Sequence, residues 1–151
     1  HLLPYLQLNN IQGIDEGQLW ETITSIIGAV FLFLAIVLTM LSRWMQAALF
    51  NPGGFKQEIH QLRIEQKIAI GLLGLMLLAS FGIIIPSSWV LYFMLPLVFS
   101  GVGLAHAVVA KRQLPRMALF AFYLMMMMPL IVQMVVLLAL IDSWYDFRSR
   151  V

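Results

Sequence analysis

The sequence predicts an all-α fold: a polytopic transmembrane helix bundle of about four spans with one short interfacial amphipathic helix. Three observations predict it. Of 151 residues, 62% are apolar and 11% charged, against roughly 45–50% and about 25% in soluble domains. Apolar stretches long enough to cross a bilayer alternate with short breaks rich in Pro, Gly or charge. The Lys and Arg residues fall in those breaks and at the C-terminus, and the stretches themselves hold none. A small soluble domain leaves too much of its surface wet to hide this much apolar material.

The elements follow in chain order. Residues 1–22 mix Pro4, Asn9, Asn10, Gly13 and Gly17 with acidic side chains, and read as an extracytoplasmic lead-in. The start His1-Leu2-Leu3-Pro4-Tyr5 lacks the basic region of a signal peptide. We expect the chain to be a piece of a longer protein. A first span is expected near 23–42, with Trp20 and Trp44 as anchors at the two interfaces. Helicity is expected to run on to Phe50, where Asn51-Pro52-Gly53-Gly54 stops it. The loop 51–67 then carries a surface helix over Phe55–Lys67, whose Phe55, Ile59 and Leu62 recur at i, i+4 and i+7. Further spans are expected near 68–85, 89–110 and 117–141, the first two joined at Pro86-Ser87-Ser88 as a tight antiparallel hairpin. The tail 142–151 mixes Trp144, Tyr145 and Phe147 with charge and suits the headgroup region.

Charge sets the expected topology. Arg43, Lys56, Arg63 and Lys67 follow the first span, and Lys111, Arg112 and Arg116 follow the third. The N-terminal segment and the second-to-third turn hold no Lys or Arg, and the tail holds Arg148 and Arg150. The positive-inside rule puts the first two groups in the cytoplasm, which sends both chain ends outward. No long basic run suggests nucleic acid. With no cysteine, disulfides, thiolate metal sites and cysteine nucleophiles are excluded. None of the metalloprotease, nucleophile-elbow or P-loop motifs occurs, so we expect no catalysis, no metal and no cofactor.

Polar groups inside a bilayer are costly and often functional. His106, about one turn before Lys111, reads as a proton carrier or ligand contact, or as an interfacial imidazole bonded to a neighbouring helix. Gln133, deep in the fourth span, can read a substrate or bridge helices. Asp142 can pair with a cation or join a proton path, or mark the membrane exit as a solvated carboxylate. Pro96 and Pro129 interrupt consecutive spans and are expected to bend them, leaving a cavity beside Gln133. Ser100, Gly103, Ala107 and Ala110 recur at i, i+3, i+7 and i+10, a small-residue face on which another helix packs. Gly71 and Gly74 are expected to do the same on the second span. Met125–Met128 invites a copper reading, but consecutive helical residues point about 100° apart and cannot converge on one ion; flexible filler is the reading kept.

Two stretches carry a resemblance. RWMQAALFNPGGFKQEIHQLR, from Arg43 to Arg63, and LIDSWYDFRSR, from Leu140 to Arg150, resemble the YybS-like family of bacterial multi-pass membrane proteins. The likeness rests on Asn51, Pro52, Gly53 and Gly54 and on Asp142, Trp144 and Asp146. Members are about twice this long, so the resemblance covers a C-terminal half and implies the bacterial inner membrane. That family is distantly similar to the substrate-binding components of energy-coupling-factor transporters, a fold-level analogy. The sparse polar inventory favours a structural or assembly subunit, whose partners are the bilayer and other membrane proteins. The alternative is a transport or substrate-binding subunit with a small-molecule ligand.

Overall fold

The computed structural model describes residues 16–147. Among them the regular structure is helical: α1 (Glu16–Phe50), α2 (Gly54–Gln61), α3 (Gln66–Phe81), a 3-10 turn (Ser87–Trp89), α4 (Val90–Lys111), α5 (Arg116–Met125) and α6 (Pro129–Tyr145). Two helical segments, Glu16–Phe50 and Ser87–Lys111, are long and apolar enough to cross a membrane. The number rises to four if the bent pairs α2–α3 and α5–α6 each count as one span.

α1 starts earlier than its apolar stretch suggests. Positions 16–22, read as lead-in, are helical, and positions 1–15 lie outside the described residues. The helix has 35 residues, about 52 Å at 1.5 Å per residue. Trp20 and Trp44 are both exposed and stand about 36 Å apart along it, a spacing suited to two interfacial belts. Ser25 and Ala29 are its buried residues, and the Tyr92 hydroxyl lies against Gly28 between them. Almost all the rest of α1 is bare: 6% of its apolar window is buried.

Asn51-Pro52-Gly53-Gly54 is a type II turn. Pro52 takes the position that wants φ near −60°, and Gly53, at φ 93° and ψ −14°, takes the one that needs positive φ. The Gly54 N–H donates to the Asn51 carbonyl at 3.0 Å. α2 then runs back, held to α1 by a bidentate ion pair from Arg43 to Glu58. It ends at Gln61, short of the expected Lys67, which lies in α3. The two helices meet at 58°. α3 stops at Phe81 because Gly82 adopts φ 64° and its N–H closes on the Ala79 carbonyl at 3.0 Å. The second apolar stretch therefore loses its last residues to the turn.

α4 is the centre of the molecule and touches every other helix. Gly28 meets Tyr92, and the Phe33 and Phe99 rings lie 5.7 Å apart, so α1 and α4 run parallel. α2 and α3 run against α4, with Ile59 and Leu62 beside Gly103 and Ala69 beside Leu97. Ala69, Leu97, Val136, Ala139 and Leu140 form the core. At the far end Ser88 donates to Glu21 at 3.0 Å.

The fourth apolar stretch is bent rather than straight. Met126–Met128 form a turn and α6 leaves α5 at 115°. A proline inside a helix removes a hydrogen bond and clashes with the carbonyl four residues back. Met128, just before Pro129, is extended at φ −90° and ψ 125°, as a residue preceding proline prefers. Pro129 then opens α6, where its missing N–H costs nothing. The methionines are thus not consecutive helical residues, and Met125, Met127 and Met128 are exposed. α6 returns past Gly101 to end beside Arg63. The end of α6 therefore lies away from the Glu21–Ser88 end, contrary to the expectation that both chain ends share that side. Arg148 and Arg150 lie outside the described residues.

Candidate functional site

The two stretches that carry the resemblance meet. Arg63, in the link between α2 and α3, donates from Nη2 to the Ser143 carbonyl at 3.0 Å, and its Nη1 lies 3.3 Å from Asp146 Oδ2. Ser143 is in the last turn of α6, where backbone carbonyls carry partial negative charge. Asp142 is fully buried, and its Oδ1 accepts the Phe147 N–H at 2.9 Å. That bond folds the chain back over the helix end, with Asp146 held at φ 45°. The reading of Asp142 as a solvated carboxylate at a membrane exit does not match this burial. Instead the side chain is an internal cap, in a place where an unpaired charge costs several kcal/mol. Trp144 is exposed on the same turn.

The small-residue face is partly as read. Ser100, Gly103 and Ala107 are buried, while Ala110 is exposed. Its neighbour is α2: a Cβ on Gly103 would stand 2.9 Å from the Ile59 carbonyl oxygen and 3.1 Å from that of Leu62. The approach to α6 is made by Gly101, where a Cβ would stand 2.8 Å from the Val135 carbonyl oxygen. Gly71 and Gly74 pack on nothing: they are exposed, with nothing within 4 Å of an added Cβ.

Gln133 and His106 fare differently. Gln133 is exposed on the outer face of α6 and is not in the wall of the cavity between α4, α5 and α6. The cavity between α4, α5 and α6 has a volume of about 380 Å³ and is walled by apolar residues, among them Leu104, Val108, Phe122, Val135 and Leu138. His106 is half-buried and its Nε2 lies 2.8 Å from the Tyr123 hydroxyl, which ties α5 to α4. The imidazole bonded to a neighbouring helix is the reading this geometry matches.

His106 also stands where two cavities adjoin. One, of about 510 Å³, has Trp44, Phe55 and Ile59 in its wall; the other, of about 380 Å³, has Gln113, Leu114 and Arg116. Lys56, His60 and His106 line both. In the sequence Lys56 and Arg116 read as topology signals, and His60 draws no reading of its own. The available signal was Lys56 and His60 four apart, on one face of a helix. Gln113 had no such signal. It sits at φ 51°, where glycine is usual, at the end of α4. The Leu114 N–H reaches the Val109 carbonyl at 3.0 Å and the Gln113 N–H that of Ala110 at 3.3 Å, a Schellman closure.

No group of three or more His, Cys, Asp or Glu that could hold a metal occurs among the described residues. No family model, curated protein or solved structure matches the chain.

Proposed function

We propose that the chain is a membrane-embedded, non-catalytic assembly subunit of the bacterial inner membrane, of the YybS-like kind, and that it docks another membrane protein on the outer face of α6. The observation that carries this reading is Gln133. It is exposed among Leu130, Met134, Leu137 and Ile141, which are also exposed and recur at helical spacing. A side-chain amide facing lipid has no water to bond, and leaving its groups unsatisfied costs several kcal/mol. A polar group on a neighbouring subunit's helix satisfies it, a contact worth roughly 0.6–2 kcal/mol. Other polar groups of the fold support the same reading, because they have partners within the chain: Arg63 with Ser143 and Asp146, Asp142 with Phe147, His106 with Tyr123. The α4–α6 cavity is apolar, so it offers a substrate no converging polar groups of the kind a binding site needs.

The test is purification in mild detergent followed by mass spectrometry of what elutes with the chain. The wild type is expected to bring down one integral membrane partner in fixed proportion. Gln133→Leu is expected to lose that partner while its own folded yield stays unchanged. A wild-type chain that elutes alone, or a Gln133→Leu chain that keeps the partner, contradicts the reading.

A further inference from the structure

The paired cavities at His106 have a composition that the assembly role does not use. Their charged lining is basic: Lys56 in both, Arg116 in one, with His60 and His106 between. No carboxylate lines either cavity. The nearby acids are engaged elsewhere, Glu58 by Arg43 and Asp146 by Arg63. Among the described residues neither Lys56 nor Arg116 has an ion-pair partner. Both cations line one cavity that has no carboxylate in its wall, and an anion placed there is attracted to each.

The walls say which anion. The cavity bearing Trp44, Phe55 and Ile59 is chiefly apolar, and it opens on the same Lys56, His60 and His106 that line the basic one. A ligand filling both has a compact anionic head and an apolar body. Gln113, held in the left-handed conformation, adds its amide to the basic end. Local strain at a site-lining residue persists where the surroundings impose it. Phosphate oxygens accept readily from Lys, Arg, His and amide donors, and basic pockets between helices at the headgroup level suit anionic phospholipids.

We propose that Lys56, His60, His106, Gln113 and Arg116 bind the phosphate of an anionic phospholipid, whose first acyl carbons lie against Trp44, Phe55 and Ile59. The proposal rests on the membrane placement above but requires no protein partner, so the isolated chain tests it. The purified chain in detergent micelles is titrated with dioleoylphosphatidylglycerol, with dioleoylphosphatidylcholine and with inorganic phosphate, and the thermal unfolding midpoint is followed. The anionic lipid is expected to raise the midpoint saturably, and the zwitterionic lipid and free phosphate are not. Joint Lys56→Gln and Arg116→Gln substitution is expected to weaken the apparent affinity about tenfold or more. Lys67→Gln, which removes one positive charge outside both cavities, is expected to keep the wild-type response. Equal shifts with both lipids, a shift with inorganic phosphate alone, or a double variant that responds like the wild type would each overturn the site. A chain that stays monodisperse without detergent contradicts the membrane placement itself, a separate outcome read in the same preparation.

Discussion

Gly101 and Gly103 lie two positions apart on α4 and face different neighbours. The first admits the Val135 backbone of α6, the second the carbonyls of Ile59 and Leu62 at the end of α2. Backbone cannot shift as a flexible side chain can, so added atoms must push helices apart. Gly101→Ala and Gly103→Leu are expected to lower stability by about 1–3 kcal/mol, read as a drop in the unfolding midpoint in detergent. Gly71→Ala and Gly74→Ala carry the opposite sign. Nothing stands within 4 Å of either added Cβ, and alanine is the better helix former by about 0.8–1.0 kcal/mol, so these variants are expected to match or exceed the parent. The four glycines look alike in the sequence. Helical spacing says which share a face but not which face meets backbone, so nothing in the sequence separates Gly71 and Gly74 from Gly101 and Gly103.

At the scale of the element, the end of α6 depends on Arg63. The guanidinium reaches the Ser143 carbonyl and Asp146, while Asp142 caps the turn through Phe147. Arg63→Met is expected to cost about 1–2 kcal/mol, the worth of a charge-assisted bond at a helix C-terminus. Asp142→Ala is expected to cost about 1–3 kcal/mol, because the part-buried Phe147 N–H loses its acceptor. The groups form one network, so the double variant is expected to cost less than the sum. Hydrogen exchange over the last turn of α6 checks this, with faster exchange in either single variant. Both motif stretches were visible in the sequence; their meeting was not, because Arg63 and Ser143 are 80 positions apart and neither residue type specifies the other. The break between α5 and α6 was half visible. Pro129 marked an interruption, but hydropathy measures composition and not direction, and Met125–Met128 are as apolar as a continuous span. Pro96 shows why a proline alone does not decide: it sits inside α4, beside the fully buried Leu97, where packing from the other helices holds the helix together.

At the scale of the whole molecule, α1 and α4 were legible because a long apolar run bounded by charge or Pro/Gly punctuation leaves few alternatives. The return of α6 was not. The bend at Met126–Met128 turns what reads as a straight helix back on itself, with the end of α6 on Arg63 and away from the Glu21–Ser88 contact. This fold-back joins the two motif stretches and leaves Gln133 on the outer face. Single-cysteine labelling in membrane vesicles tests it most directly, and the chain has no native cysteine to remove. Tyr145, exposed at the end of α6, is the reporter, with Lys111 marking the basic end and Ser88 the opposite one. Tyr145→Cys is expected to react with a membrane-impermeant thiol reagent from the same side as Lys111→Cys and from the side opposite Ser88→Cys. Labelling of Tyr145→Cys together with Ser88→Cys would contradict the fold-back and restore a straight fourth span.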